Sequence, residues 1–449
     1  MYKLSDYIVT ESISSSSHPD EQQLLCFSTR SATLKLLPQK LYNRLKTRDF
    51  SDIPDQLIKN LVQDMILVDM ECDELNTVLD ENTNQVKDSR VFKLVIQPTA
   101  ACPLGCHYCG QNHKSKMLSL ADQDKITDFA RRQISRAKGQ ITVLNIVWFG
   151  AEPLSGMPAL QKLSDQLQKL ALELNLRYRS GIVTNGLLLN PKLFEKLVVD
   201  HKVTHFDITL DGDKDAHDQR RHLKDGKPSF DIIFSNITKI AQRNDLNFSL
   251  NIRCNTDDRN RDGVSRLLKK MADHGVHKKA NFYVAPIHSW GNDAHELAAD
   301  KAEFAGWEID WFIEMRKLGF HIEPLPKRKP QVCMAVSENA YLIDPYGSIF
   351  GCSELSLVDT YKDSEGNEIH KIGDVRSENL MAEDRRIPFL SVNQSIKEKR
   401  FTCHECVMLP ACGGHCPKEW EEGVIPCPSF KFNMKERMLL YYMMQRKLI

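Results

Sequence analysis

Net charge is the first thing this sequence lacks: 60 Lys and Arg are matched by 60 Asp and Glu over 449 residues. That balance argues against a nucleic-acid binder working through a broad basic face, and against an acidic disordered tail. Long hydrophobic runs are missing as well. Mean hydropathy is −0.40, and no stretch approaches the ~18 apolar residues of a membrane span, so neither nucleic acid nor membrane is an expected partner. The opening Met1-Tyr2-Lys3-Leu4-Ser5-Asp6-Tyr7 has none of the apolar core of an export signal, which predicts a cytoplasmic protein. No internal repeat or low-complexity tract stands out. The length points to two to four domains with enough chain for a large core.

Cysteine is what the sequence has in excess, with thirteen in all. Disulfides are not expected in a reducing cytoplasm. Cys26, Cys72 and Cys254 stand apart and read as ordinary buried thiols. Cys102, Cys106 and Cys109 form one cluster, and Cys333, Cys352, Cys403, Cys406, Cys412, Cys416 and Cys427 another. Spacings of this kind read as metal ligation.

The pattern divides the chain into residues 1–88, 89–324 and 325–449. In the first, Leu24-Leu25-Cys26-Phe27 and Ala32-Thr33-Leu34-Lys35-Leu36 flank a polar Ser28–Ser31 segment and predict a hairpin. Helical spacings follow at Leu41 and Leu45 and, after Pro54, at Leu57, Ile58, Leu61 and Val62. Two strands with two or three helices describe a small winged-helix-like module, and the polar run Asp80-Glu81-Asn82-Thr83-Asn84 is expected to lead into a linker. From residue 91 the pattern alternates strictly, with strands expected at 91–97, 141–149, 178–184, 204–210, 247–253 and 281–285. Amphipathic helices lie between them, one carrying Ile126, Phe129, Ala130 and Ile134, a second Leu160 to Leu174, and a third Ile233, Ile237 and Ile240. Six such units predict an α/β fold, a parallel sheet covered by helices, as an open sheet or a barrel. After about Pro324 the rhythm stops. That region is rich in Cys, Pro and Gly, has too few apolar runs for a core of its own, and needs metal staples.

Cys102-Pro-Leu-Gly-Cys106-His-Tyr-Cys109 directly follows the first of the six strands. Three thiolates on one tight loop can hold three irons of a [4Fe–4S] cubane, leaving the fourth open. A zinc site is the plainer alternative, but zinc favours paired cysteines and four protein ligands. Position also counts, because chemistry in βα barrels gathers at the carboxyl ends of strands. In order along the chain come Gly150-Ala151-Glu152-Pro153, Thr184-Asn185-Gly186, Thr209-Leu210-Asp211-Gly212, His217-Asp218 with Arg221, and Arg253 with Asn255, most of them ending a predicted strand. Singly each reads as a turn or cap. Together they resemble the radical S-adenosylmethionine (SAM) superfamily, with Ala151 in place of a glycine and Thr209 in place of a serine. The resemblance implies a partial (β/α)6 barrel in which Cys102, Cys106 and Cys109 hold the cluster and SAM chelates its open iron. It also implies a 5′-deoxyadenosyl radical that abstracts a substrate hydrogen. Tyr108, Gly150, Ala151, Glu152, Asn185, Thr209, Asp211, Arg221 and Arg253 are the SAM-site residues it implies, with Glu152 and the backbone beside it meeting the SAM ammonium.

The carboxy-terminal cysteines, with Gly347 before Cys352 and the turn Cys412-Gly-Gly-His-Cys416-Pro417, closely resemble the seven-cysteine SPASM domain of peptide- and protein-modifying radical SAM enzymes. The resemblance implies two auxiliary clusters, three [4Fe–4S] clusters in all. Cys403, Cys406, Cys412 and Cys427 would complete one, and Cys333, Cys352 and Cys416 would hold the other, whose remaining iron is open or has a non-cysteine ligand. Structural zinc is again the plain alternative. By size, order and pattern, residues 1–88 resemble the PqqD-like domain that binds a leader peptide as an added β-strand. The expected function is maturation of a ribosomally made precursor peptide by a carbon–carbon, ether or thioether crosslink, with a flavodoxin or ferredoxin as reductant. Oxidation of Cys or Ser to formylglycine, as in anaerobic sulfatase maturases, is the alternative. Those enzymes place an Asp directly after the second SPASM cysteine, where this chain has Ser353 and then Glu354. Glu354 is the candidate catalytic base, an exposed, solvated Glu being the plain reading of it. Peptide epimerisation would need a hydrogen donor such as Cys254, and a non-catalytic electron-transfer scaffold is the remaining class.

Overall fold

The computed structural model describes residues 1–13, 22–287, 299–377 and 382–448. Its strands in chain order begin with β1 (Tyr2–Leu4), β2 (Ile8–Ile13), β3 (Gln23–Ser28), β4 (Thr33–Pro38) and β5 (Leu67–Asp69). The central six are β6 (Val91–Ile96), β7 (Val143–Trp148), β8 (Arg177–Thr184), β9 (Val203–Thr209), β10 (Ser249–Thr256) and β11 (Ala280–Pro286). Last come β12 (Ala340–Ile343), β13 (Ser348–Phe350) and β14 (Lys371–Asp374). The six central strands fall within three residues of the expected ranges. Consecutive ones pair in parallel, in the order β11-β10-β9-β8-β7-β6. Right-handed crossovers in sequential order put the covering helices on one side, so the sheet curls with helices outside. Alternation follows the pleat: Phe92, Leu94 and Ile96 of β6 and Phe206 and Ile208 of β9 pack into the helix-covered core. The helix Leu120–Arg136 begins as its capping box predicts, the Ser119 Oγ accepting from the Asp122 N–H at 3.1 Å.

The ring does not close on itself. β6 pairs with β7 on one side and on the other with β12, in parallel, Val95 opposite Leu342. β13 and β14 extend the same sheet antiparallel. The carboxy-terminal region therefore shares a sheet and an apolar core with the barrel: Leu342, Phe350 and Cys352 pack on Val95, Val147 and Phe149. The expectation that the βα rhythm simply stops after Pro324 misses this strand, because four apolar residues, Ala340-Tyr341-Leu342-Ile343, carry no period of their own.

Residues 1–88 hold a three-stranded antiparallel sheet, β2-β3-β4, and a two-stranded one, β1-β5, with three helices at Gln39–Lys46, Asp55–Gln63 and Glu74–Lys87. The predicted hairpin is β3-β4, with three strands more than the sequence pattern announced. The expected linker at Asp80–Asn84 lies inside the helix Glu74–Lys87, capped by Asp73, whose side chain accepts from the Asn76 N–H. One face of that helix suffices for packing: Val78 and Leu79 bury against Val392 and Ile396, while Asp80 and Glu81 face water. β3 is buried on both faces. Leu24 and Cys26 meet the module's own helices, and Leu25 and Phe27 meet Met408, Met434 and Met438.

Candidate active site

The loop after β6 is pinned before any cofactor is considered. The Ala100 N–H donates to the Lys116 carbonyl (2.8 Å), the Gly105 N–H to that of His222 (2.9 Å), and the Cys109 N–H to that of Cys106 (3.1 Å). Cys102, Cys106 and Cys109 thereby line one cavity of about 210 Å³ at the carboxyl ends of the barrel strands. Of the residues expected at a SAM site, Tyr108, Gly150, Ala151, Asn185, Thr209, Arg221 and Arg253 line it too. Gly150 has φ +78°, and a Cβ there would lie 2.3 Å from the Gln97 Nε2, so the turn after β7 admits only glycine. The Asn185 Nδ2 donates to the Cys102 sulfur at 3.7 Å.

Glu152 and Asp211 stand behind the cavity wall. Glu152 is fully buried and does not line the cavity. Its carboxylate accepts from the Leu154 N–H (2.9 Å), the Thr184 hydroxyl (2.8 Å) and the Asn185 N–H (2.8 Å). It ties the ends of β7 and β8 together and so aims Asn185 into the cavity. Asp211, also fully buried, accepts from the Tyr108 hydroxyl and from the Asn255 N–H at 2.9 Å. The Tyr108 hydroxyl in turn accepts from Arg221 and Asn255. Both acids position cavity residues. His217, held neutral by burial beside Arg221 and Arg220, accepts the Asp211 N–H at 3.1 Å and braces the end of β9.

Glu354 is not a solvated surface acid. It lines the same cavity, and burial raises its carboxyl above the usual range against the pull of Arg253 and Lys418. The strand pattern alone does not reveal Gln111, His113 and Ile287, which complete the wall. The Gln111 Oε1 accepts from the Ala151 N–H at 2.8 Å, and the His113 Nε2 lies 3.8 Å from the Cys109 sulfur. Nearness to the third cysteine was the one sequence signal for the first two. Cys254 faces the other way, into the helix-covered core; burial pushes its thiol up to about 12, and it does not line the cavity. That orientation removes it as the hydrogen donor an epimerase would need.

Burial also pushes the Cys102 thiol up to about 12 and that of Cys106 to about 11, and raises Cys109. Three thiols facing one cavity, Cys102 buried and Cys106 and Cys109 half-buried, are poor acids, but they suit a cationic cluster that draws off their protons. Farther along, Cys403, Cys406, Cys412 and Cys427 line one small cavity of about 20 Å³, and the Lys431 Nζ donates to the Cys427 sulfur at 3.3 Å. Cys352 is close enough to Cys333 and Cys416 for their charges to raise its thiol further. Among the described residues no three His, Cys, Asp or Glu side chains are gathered tightly enough to hold a single metal ion. A larger cavity, about 1070 Å³, lies between Lys87, Arg136, Tyr341 and Arg386, and none of the cysteines lines it.

Residues 96–258 match the family model described as the Radical SAM superfamily. The chain carries a radical SAM domain. Radical SAM chemistry implies SAM and a [4Fe–4S] cluster, and the three-cysteine loop and its cavity fit them. Over 369 residues the chain is 24% identical to a serine-type anaerobic sulfatase-maturating enzyme of Bacteroides thetaiotaomicron, covering 72% of this chain and 82% of that one. It is 21% identical over 342 residues to a protein of the same description from Klebsiella aerogenes, covering 73% and 80%. Its fold matches the solved structure described as native anSMEcpe with bound AdoMet, with a TM-score of 0.57 at 16% identity over 80% of this chain and 98% of that one.

Proposed function

We propose that this radical SAM enzyme is a maturase that oxidises a side chain of a peptide or protein, in the manner of the sulfatase-maturating enzymes it is similar to. The observation that carries the reading is the Glu354 carboxylate in the wall of the cavity that the three cysteines share. When bound, SAM and its cluster supply a radical that takes a hydrogen atom from the substrate, and auxiliary clusters supply an electron acceptor. This chain's own part is to hold and orient. Cys102, Cys106 and Cys109 are the cluster ligands. Gly150, Ala151, Asn185, Thr209, Arg221 and Arg253 shape the SAM pocket around Tyr108, with Glu152 and Asp211 behind them. Glu354 accepts the proton that a serine hydroxyl or cysteine thiol releases as the carbon that lost the hydrogen atom gives up one more electron; serine becomes the aldehyde directly, and cysteine a thioaldehyde that water hydrolyses with release of hydrogen sulfide. Burial, which raises the Glu354 carboxyl, and the nearby Arg253 suit it to taking up that proton. Cys403, Cys406, Cys412 and Cys427 hold one auxiliary cluster; Cys333, Cys352 and Cys416 hold a second with a non-cysteine or open position. Residues 89–324 form the catalytic barrel and 325–449 the SPASM region, with a flavodoxin or ferredoxin as electron donor.

The test is anaerobic incubation of reconstituted enzyme with SAM, dithionite and serine- or cysteine-containing peptides, scored for 5′-deoxyadenosine and for hydrazide-reactive aldehyde. Glu354→Gln is expected to lower aldehyde yield at least ~100-fold more than deoxyadenosine formation; equal losses would remove Glu354 as the base.

Crosslinking of a leader-bearing precursor is the second reading, favoured by the module at 1–88. Among the described residues its edge strand β4 pairs only with β3, which leaves one side for an added strand. A crosslinked product would lose two hydrogens and stay silent to hydrazide.

A further inference from the structure

A closed βα barrel fills its lumen with branched apolar side chains, and here only half the lumen is filled that way. Beside β6 and β7, Val95, Val147 and Phe149 pack on Leu342 and Phe350. Across β9 to β11 the inner face is polar instead. It carries Asp207 and Thr209, then Asn251 and Arg253, then Asn281 and Tyr283, alternating with Ile208, Ile252 and Phe282 of the covered core. Thr209 and Arg253 reach the cavity that holds the three cysteines. Asp207, two residues earlier on the same face, lies about 7 Å deeper.

The Asp207 Oδ2 accepts a hydrogen bond from the Tyr283 hydroxyl at 2.9 Å. Its Oδ1 is buried and, among the described residues, accepts no well-formed hydrogen bond, although the Asn251 side chain stands beside the carboxylate. Such an atom is costly unless something supplies a donor. Arg253 is the cation near both Asp207 and Glu354; Lys418, also near Glu354, is paired with Glu422 at 2.9 Å, so three carboxylates face two cations and the local balance is one negative charge. Arg179, on the neighbouring strand β8, does not redress it. Val183 is the residue opposite Asp207, which puts Arg179 four residues, or about 13 Å, farther down the strand.

We infer that Asp207 is the floor of a substrate subsite that takes a guanidinium or ammonium side chain, carried one or two residues from the residue modified in the cavity. The spacing follows from the depth, since successive Cα atoms are about 3.8 Å apart and an arginine or lysine reaches a layer below its own backbone. A cation supplies both the missing donor and the missing charge. A neutral amide supplies only the donor, and a water molecule supplies no selectivity. The inference rests on the peptide-maturase reading above.

The test uses the full-length reconstituted holoenzyme with SAM and three labelled 13-residue peptides. Each carries a single serine, flanked two residues away on both sides by Arg, Gln or Leu. By fluorescence anisotropy the Arg peptide is expected to bind at least tenfold more tightly than the Leu peptide, with Gln between. Asp207→Asn is expected to shrink that advantage to twofold or less, whereas Tyr283→Phe, which keeps the carboxylate, retains it. Equal binding of the three peptides, an undiminished advantage in Asp207→Asn, or no binding at all overturns the subsite. Mass spectrometry on the same mixtures separates the two ideas. Arg-selective binding without any mass change supports the subsite and removes the oxidation, and equal conversion of all three peptides does the reverse.

Discussion

At the scale of single residues, buried carboxylates have jobs that composition does not announce. Asp344 follows β12, and its Oδ1 accepts the Tyr346 and Ser348 N–H groups, each at 2.8 Å. Burial, with Glu368 nearby, pushes its carboxyl up to about 7 from an ordinary 3.8. The folded chain therefore holds a proton that the unfolded chain has released. The stability this one carboxyl contributes is full below about pH 4 and is lost as pH rises to about 7, a change on the order of 4 kcal/mol. Asp344→Asn keeps both accepted bonds, so melting temperature measured from pH 5 to 8 is expected to lose much of its downward slope. Gly413 is a second sensitive position. Its φ is +64°, and a Cβ would lie 2.4 Å from the Lys329 carbonyl oxygen. Gly413→Ala is expected to distort the Cys412–Cys416 turn and lower bound iron, read by iron assay, while sparing deoxyadenosine formation. The cysteine groups and the strand-end motifs were legible because ligand spacing is written in the chain itself. The inward turn of Glu152 was not, since it depends on where the end of β8 arrives in space.

Whole elements show where the reading by segments breaks down. The unalternating Leu24–Phe27 run announced a strand, and its lack of period also meant two buried faces, but the partner of the second face sits some four hundred residues away. That partner is the helix Met434–Gln445 with Met408. Arg30 bridges Glu74 at 3.2 Å and Glu81 at 3.0 Å, and Arg328 joins Glu81 and Asn82 from the carboxy-terminal region. Residues 1–88 are thus built into the molecule. Removing them is expected to expose Met434 and Met438 and give aggregation-prone material by light scattering, with loss of leader recognition only a part of the effect. Met438→Ala is expected to cost about 2–5 kcal/mol in denaturant unfolding. Arg30→Ala strands the buried Glu74 charge and is expected to cost about 3–5 kcal/mol.

Over the whole molecule, six strands in sequential order were readable because each repeats the same apolar-strand, amphipathic-helix period. The seventh parallel strand, β12, was not, because its four residues are placed by pairing with β6 and by no local signal. Replacing Cys102, Cys106 and Cys109 together by Ala is expected to abolish deoxyadenosine formation and remove about four irons per chain, with the remaining iron retained; full loss of iron would show that the groups load as one. The pairing of β6 with β12 also sets a timetable. A ribosome adding about 5–20 residues per second needs roughly 10–50 s to travel from the first cysteine loop to the strand that flanks it. For that interval the three thiols ride on an unfinished edge of the sheet.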